Sequence, residues 1–352
     1  MLKQTEPMLK RSVLSFSFLR ITLYDSRRLH MATPTFYAGT VGQSVWRSND
    51  GGDSWDRASS GMFPEADIRA LAANPNDSSI LFAGTETGIF RTQNGGDDWE
   101  QINSPMDGLQ IWAIAINPNN PNVLYAGTCP SALFKSSDGG DTWNQLDVEL
   151  AEECEGVPII PRVTSISIDP EDDQTIYAGI EIDGLRLSTD GGETWVERSD
   201  GLSSLDIHGL TVVPGDPKAL VAATNNDVCV TTDMNEWTPL SVGDGFPWPY
   251  CRAAMYVPMN GTGRVYIGAG NGPPGDEGGL FYTDNLGKSW ERADLGLTAN
   301  STIWCLARQP EVPGWLFACS VNGQLFRSAD DGASWSKLSH EFGEVRALAI
   351  VP

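Results

Sequence analysis

The sequence has few histidines, little positive charge and no long apolar run. It contains 3 His, and its 23 Lys and Arg stand against 46 Asp and Glu, which gives a net charge of −23. So acidic a surface repels nucleic-acid phosphates and anionic lipid headgroups, and neither is an expected partner. No stretch approaches the roughly 18 apolar residues of a membrane-spanning helix. We therefore expect no nucleic-acid partner and no membrane partner.

The signatures of metal and cofactor sites are also missing. The 6 Cys are scattered without a C-x-x-C pair or a histidine at metal-ligand spacing. There is no phosphate-binding loop, nucleophile elbow or dinucleotide fingerprint. The sequence therefore predicts no metal and no cofactor. Unpaired cysteines favour a reducing, cytoplasmic location, with a secreted or organellar one left open, as is a disulfide between Cys129 and Cys154.

The first thirty residues are basic, whereas the rest of the chain is acidic. Residues 13–19 resemble the apolar region of a signal peptide, but Arg20 interrupts them and no small-residue cleavage site follows. Two explanations stay open: Met31 is the true start, or the basic leader is a targeting segment. We expect residues 1–34 to be an extension that is disordered or absent from the mature protein.

An eight-residue segment occurs seven times. It reads Ser-Asn-Asp-Gly-Gly-Asp-Ser-Trp at 48–55, and its Trp returns every 42 to 53 residues. The other copies lie at 92–99, 136–143, 188–195, 231–237, 283–290 and 328–335. The copy at 231–237 is one residue short and lacks the glycines. We call this segment the octapeptide turn, because its Asp or Asn oxygen can accept backbone N–H groups while the glycines supply positive φ.

Each octapeptide turn lies inside a unit of four strand-like segments. In one unit these are residues 68–73, 80–85 and 88–92, and Trp99 opens the fourth. Runs of β-branched and aromatic residues between Asn, Asp, Gly and Pro turns predict strands. Four strands in about 45 residues is the size of a propeller blade. The sequence predicts an all-β, seven-bladed propeller over residues 35–352.

The two ends of the chain are predicted to share one blade. Residues 35–40 match a second strand without a first, and residues 345–352 match a first strand without a second. The C-terminal strand should therefore join the N-terminal blade and cover its exposed edge.

With this motif the chain resembles the Asp-box (BNR-repeat) β-propeller family, whose members carry S-x-D-x-G-x-T-W between the third and fourth strands. The resemblance covers residues 35–352 and implies that Asp50, Asp138 and Asp190 are structural. Known relatives include sialidases, xyloglucan-type glycosidases, sorting-receptor ectodomains and a photosystem II assembly factor. The resemblance thus implies either ligand binding or glycoside hydrolysis.

Within that family, a binding role is favoured. The Phe/Tyr-Arg-Ile-Pro signature of sialidases is absent and the blade count is seven instead of six, so sialidase activity is not expected. Xyloglucan enzymes use two tandem propellers with a cleft between them, and this chain has one. The assembly factor has arginines on its central face, as this chain is expected to have.

The candidate site is the centre of the face where the innermost strands begin. The residues that follow the opening apolar position of these strands are Arg69, Trp112, Thr164, His208, Arg252, Trp304 and Arg346. Arg offers a planar fork for carboxylate, sulfate or phosphate, and Trp offers a flat face for a sugar ring. With Trp248 of the aromatic loop 246–250, they predict a pocket for an anionic small molecule, glycan or peptide. Alternatively, the arginines pair with carboxylates such as Asp67 and Glu344, and each Trp wedges between blades.

A second function stays open. The chain could be a hydrolase or lyase acting on an anionic sugar or related small molecule, with His208 and Tyr250 as catalytic residues. Further acid–base candidates on the same face are Asp67, Asp183, Asp206 and Glu344. We expect a monomer in either case.

Overall fold

A computed structural model describes residues 33–154, 158–259 and 263–352, which form seven four-stranded antiparallel sheets arranged as the blades of a propeller. The predicted fold is therefore confirmed. The expected extension over residues 1–34 lies outside the described residues apart from its last two. Within the described part of the chain, no helix is long and apolar enough to cross a membrane.

The strands of the first four blades are β1 (Thr35–Val41), β2 (Val45–Ser48) and β3 (Asp56–Arg57); β4 (Ala70–Ala73), β5 (Leu81–Gly84), β6 (Ile89–Thr92) and β7 (Glu100–Gln101); β8 (Gln110–Ile116), β9 (Leu124–Cys129), β10 (Leu133–Ser136) and β11 (Asn144–Gln145); and β12 (Val163–Ile168), β13 (Ile176–Ile180), β14 (Gly184–Ser188) and β15 (Val196–Glu197).

The remaining strands are β16 (Ile207–Val213), β17 (Ala219–Thr224), β18 (Val228–Thr231) and β19 (Thr238–Pro239); β20 (Tyr250–Val257), β21 (Arg264–Gly270), β22 (Gly278–Thr283) and β23 (Glu291–Arg292); β24 (Ile303–Arg308), β25 (Leu316–Ser320), β26 (Gln324–Ser328) and β27 (Ser336–Glu341); and β28 (Glu344–Val351). A single-turn 3-10 helix covers Val242–Asp244.

The ring closes as the sequence predicts. Strand β28 pairs antiparallel with β1, so the first blade has the order β28-β1-β2-β3. Thr35 faces Val351 at one end of this pair and Val41 faces Glu344 at the other. The last strand of the chain thus supplies the innermost strand of the first blade.

Glycines in the second strands let neighbouring blades approach closely. A Cβ on Gly127 would lie 2.4 Å from the Val163 side chain, and one on Gly179 would lie 2.5 Å from Ile207. Val163 and Ile207 are the opening apolar residues of the next blades and are fully buried. In these two blades the innermost strand is therefore anchored at its first residue against the blade before it.

The octapeptide turns are closed by their own side chains. In the copy at 136–143, Gly140 N donates to Ser136 Oγ at 2.9 Å, and Thr142 N donates to Asp138 Oδ1 at 2.9 Å. Thr142 Oγ1 donates to Asp138 Oδ2 at 2.6 Å. Trp143 Nε1 donates to Gly140 O at 3.1 Å, so the indole lies beneath the turn. These aspartates hold the backbone of the turn.

The octapeptide turn of one blade is also bonded to the blade before it. Arg47 Nη1 donates to Gly95 O at 2.6 Å and pairs with Asp97 at 2.7 Å. Equivalent cations that precede the octapeptide turn of their own blade contact the next one: Arg91 at 136–143, Lys135 at 188–195 and Arg327 at 48–55. The Arg327 contact joins the last blade to the first.

We call the residue directly before each octapeptide turn the clamp position, because it contacts the turn of the next blade. It is a cation where that next turn has an acid at its sixth residue. The turns at 231–237, 283–290 and 328–335 lack an acid at the position equivalent to Asp97. Lys288 and Ala333 occupy that position in the last two turns, and the first is one residue short. The clamp positions facing them are Leu187, Val230 and Tyr282. Leu187 packs in an apolar cluster with Trp237, so apolar contact replaces the ion pair there.

Removing β28 should unfold the ring. Val345, Leu348, Ile350 and Val351 are buried, and each buried apolar side chain contributes about 1.5–3 kcal/mol. Their combined loss is comparable with a typical net stability of about 5–15 kcal/mol. Deletion of residues 344–352 should lower Tm by more than about 10 °C or prevent folding, as followed by circular dichroism. Deletion of the exposed Pro352 alone is the control, and an unchanged Tm in the longer deletion would contradict the closure argument.

The octapeptide turns should make the ring acid-sensitive. Hydrogen bonds from Thr142 and Thr194 lower the pKa of Asp138 and Asp190 from 3.8 to about 2. Because the pKa of these carboxyl groups is lower in the folded than in the unfolded protein, their ionisation stabilises the fold at pH values above the unfolded-state pKa. This stabilisation is lost as the pH falls from about 4 to 2. We expect Tm to drop across that window.

The matched variant for this prediction is the double substitution Asp138→Asn and Asp190→Asn. Asn already stands at 94, where its Oδ1 accepts from Asp98 N at 2.9 Å, so the acceptor is kept and the titration is removed. The variant should lose only a few degrees of Tm at pH 7 and show a shallower decline in acid. An identical acid profile in the two proteins would contradict this assignment.

Candidate functional site

β-Bulges direct one residue of most innermost strands towards the ring axis. In β12 the pairing shifts between Val163 and Ser165, so Thr164 is the extra residue. The same shift leaves Trp112, His208, Arg252, Trp304 and Arg346 as the extra residues of their strands. A bulge changes the direction of its side chain. These six residues and Arg69, which precedes β4, all line one central cavity.

The cavity widens into a mouth of about 730 Å³. Its lining includes Arg69, Arg162, Arg252 and Arg346 together with Glu181, Asp206 and Glu344. Six of the seven aligned residues reach this mouth, and Thr164 lines the deeper part of the cavity. The sequence-predicted residues are thus brought together on the axis.

Each tryptophan of the cavity is stacked with two arginines. The Trp112 ring centroid lies 4.7 Å from Arg69 Cζ and 4.2 Å from Arg162 Cζ. The Trp304 ring centroid lies 4.0 Å from Arg252 Cζ and 4.1 Å from Arg346 Cζ. The three members of each stack come from consecutive blades with the indole in the middle. Because guanidinium groups occupy the indole faces, these rings position the arginines and leave no free face for a sugar.

The four arginines differ in their partners. Three contact a carboxylate: Arg69 with Asp67, Arg162 with Glu181 and Arg346 with Glu344. Arg252 has no carboxylate oxygen within 4.0 Å among the described residues. It is only 8% exposed, and burial lowers the pKa of its guanidinium. Of these four arginines, Arg252 is therefore the one without a carboxylate partner in the described part of the chain, and its guanidinium interacts with the Tyr250 phenol instead.

His208 is held at both ring nitrogens. Nδ1 lies 2.9 Å from the Cys251 carbonyl oxygen, and Nε2 lies 3.2 Å from Asp206 Oδ1. Burial raises the pKa of Asp206, but His208 and the nearby Arg252 outweigh this and keep the pKa below its usual value. Asp206 is therefore ionised at neutral pH, and His208 is oriented by its neighbours.

Tyr250 lies beside His208, with the ring centroids 5.0 Å apart. Burial raises the pKa of its phenol, while Arg252 opposes the shift. A phenol with a raised pKa stays neutral at pH 7 and is a poor nucleophile. The two predicted catalytic residues are thus adjacent, but this environment does not activate Tyr250.

Two other predicted candidates lie away from the cavity. Trp248 is buried in an apolar cluster that spans its own blade and the preceding one, and its Nε1 donates to Glu277 Oε2 at 3.1 Å. Asp183 pairs with Arg186 at 2.9 Å and lines a separate pocket. Both residues therefore have local partners.

Sequence alignment of the innermost strands missed several residues of the mouth. They are Gln110, Ile159, Glu181, Asn225, Pro273, Pro274 and Asn322. Most of them lie in loops that differ in length between blades, so the repeat register gives no signal for them. The exceptions are Gln110, which opens β8, and Glu181 and Asn225, which directly follow β13 and β17.

Apolar side chains are exposed around the same face. The loops from an outermost strand to the next innermost strand open on the face of the mouth and carry Phe63, Ile159, Ile160, Leu205 and Leu297. Phe63 is 65% exposed and Ile160 is 56% exposed. These residues share the face of the mouth, and Ile159 also lines the mouth itself.

All six cysteines, including Cys129 and Cys154, are free thiols in the structure. Burial raises the pKa of the Cys129 thiol. The disulfide that the sequence left open is therefore not formed.

Comparison with known proteins supports the fold. The family model described as "Sortilin, neurotensin receptor 3" (Sortilin-Vps10) matches residues 43–177, which is less than half of the chain. A search of curated proteins gives no significant match.

Solved structures of similar fold fall into two groups. The structure titled "YCF48 bound to D1 peptide" has a TM-score of 0.54 and 16% identity, covering 78% of this chain and 81% of that one. An ancestral GH74 enzyme has a TM-score of 0.60 and 17% identity, covering 91% of this chain and 55% of that one.

The GH74 xyloglucanase from Xanthomonas campestris has a TM-score of 0.56 and 17% identity, covering 87% of this chain and 47% of that one. The chain thus spans about half the length of these GH74 enzymes. Identities this low show a shared propeller fold alone.

Proposed function

We propose that the chain is an Asp-box propeller that binds an anionic ligand in its central Arg/Trp pocket. The observation that carries this proposal is Arg252, a buried guanidinium of the central cavity that has no carboxylate partner among the described residues. Burying a charge without a partner is costly, and a bound carboxylate or sulfate would offset that cost. The ligand is an acidic glycan, a small acid or a peptide.

The surroundings of Arg252 fit an oxyanion. Its guanidinium stacks on Trp304 and is hydrogen-bonded to the Tyr250 phenol, and its remaining N–H groups can donate to an oxyanion. Arg346 lies on the same indole at 4.1 Å and can add a second cation. Arg346 and Arg162 already contact Glu344 and Glu181, so an incoming anion would share them. Arg252 is therefore the main anchor for the anionic group of the ligand.

Among anionic ligands, the site favours a peptide. Trp112 and Trp304 have arginines on their faces, so they cannot serve as sugar platforms. Exposed apolar residues such as Phe63 and Ile160 share the face of the mouth and suit side chains of a peptide. A similar fold has been solved as "YCF48 bound to D1 peptide".

The second candidate is a hydrolase or lyase for an anionic sugar that uses His208 and Tyr250. The GH74 neighbours favour it, since they are enzymes of similar fold. The raised pKa of Tyr250 and the two acceptors facing His208 weigh against it. A panel of acidic glycans and small acids should yield product only if this candidate holds, and His208→Ala should then abolish turnover.

The test of the binding proposal is calorimetry of the full chain with inorganic sulfate, citrate and a synthetic glutamate-rich peptide. Arg252→Gln should weaken the tightest of these by about 10- to 100-fold, because charge-assisted hydrogen bonds are lost. Arg264→Gln is the matched control, since Arg264 pairs with Asp284 in an octapeptide turn and does not line the mouth. Equal affinity in the wild type and Arg252→Gln, or no binding of any probe, would contradict the proposal.

A further inference from the structure

Three potential metal ligands meet in the wall of the central mouth. One ligand atom each from Glu181, Asp206 and His208 lies within 4.8 Å of the others. Asp206 and His208 flank the first residue of β16, and Glu181 directly follows β13 in the preceding blade. The side chains are 13%, 17% and 2% exposed respectively, so the group is largely shielded from solvent.

The orientation of His208 is that of a metal ligand. A carbonyl oxygen only accepts hydrogen bonds, so the 2.9 Å contact with Cys251 O places a proton on Nδ1. In the neutral imidazole, Nε2 then carries the lone pair and faces Asp206 Oδ1 at 3.2 Å. Two acceptors at this distance require a cation or a proton between them. Histidines that bind metals usually donate the other ring N–H to a carbonyl or carboxylate in this way.

Asp206 lies on the other side of the same contact. Its Oδ1 atom is buried and has no hydrogen-bond partner of regular geometry in the described part of the chain. A buried carboxylate oxygen without a donor is costly to maintain. A small cation between this oxygen and His208 Nε2 would satisfy both atoms.

We propose that Glu181, Asp206 and His208 form a binding site for a divalent first-row transition metal, with Zn²⁺ as the best match. Tetrahedral Zn²⁺ with bonds of about 2.0–2.2 Å holds its ligand atoms about 3.3–3.5 Å apart, close to the observed Asp206–His208 separation. Imidazole with carboxylates is a ligand set that Zn²⁺ accepts. Glu181 completes the set by a small side-chain movement. The fourth position faces the mouth.

Two neighbouring arginines weaken this site without excluding it. Arg162 contacts Glu181 Oε2, but a carboxylate has a second oxygen for the metal. Arg252 lies close enough to lower the pKa of Asp206 and therefore also opposes a cation there. The alternative occupant is a proton, which would make His208 an imidazolium that donates to Asp206. The metal site does not depend on the proposed anion binding, because no arginine is a ligand.

The test is titration of the chelator-treated full chain with Zn²⁺ by calorimetry and with Co²⁺ by visible absorption. We expect one equivalent to bind, with a Co²⁺ spectrum of four- or five-coordinate intensity. Asp206→Asn and His208→Gln should each weaken binding at least tenfold, and Glu181→Gln should weaken it less. Asp67→Asn is the control, since Asp67 pairs with Arg69 at the same cavity but lies outside the group, and it should bind as the wild type does.

The controls separate this proposal from its alternatives. Arg252→Gln removes the proposed anion anchor and should retain or strengthen metal binding, so the two proposals can fail separately. Thermal unfolding of each variant checks that it folds. His208 is buried, so if His208→Gln does not fold, metal binding by Glu181→Gln is the test of the proposal.

Three results would overturn the metal site. They are no binding at millimolar metal, wild-type affinity in the ligand variants, and a sulfur-to-cobalt charge-transfer band that assigns the metal to a thiol such as Cys305.

Discussion

The close packing of most innermost strands against a glycine of the preceding blade is the constraint on which the site depends. Val163 against Gly127 and Ile207 against Gly179 leave no room for a Cβ, so the position of the first residue of these two strands is fixed. The bulge that follows turns the next side chain to the axis. Cations on separate blades thereby share one cavity, although each is far from the others in sequence.

The repeat made much of this predictable. Seven copies of one turn gave the blade number, and the half-blades at the two ends gave the ring closure. The aligned position identified Arg252 and six other residues that line the cavity. The ion pairs between blades were not predicted, but they leave a pattern in the sequence. Cations such as Arg47 occur directly before a turn only where the turn of the next blade has an acid such as Asp97. Periodicity carries this information because every blade meets the same packing problem.

The remaining features come from residues that do not repeat. Ile159 and Pro273 reach the mouth from loops of individual blades, so no alignment of the units could place them. The sequence suggested Trp112 and Trp304 as sugar platforms, but each ring is stacked with two arginines from the neighbouring blades, which is a consequence of blade order. Trp248 lies in an aromatic loop, but it packs in an apolar cluster between its own blade and the preceding one and does not line the cavity.

A strongly acidic protein thus concentrates four arginines at the centre of one face, each held on an indole, and one of them has no carboxylate partner within the part of the chain that the structure describes. The most direct measurement is anomalous X-ray scattering from crystals soaked in selenate, an oxyanion that reports its own position. We expect the strongest selenium peak on the ring axis, within hydrogen-bonding distance of Arg252. This peak should be absent from crystals of the Arg252→Gln variant. Selenate confined to the outer surface, with the axial position empty, would contradict it.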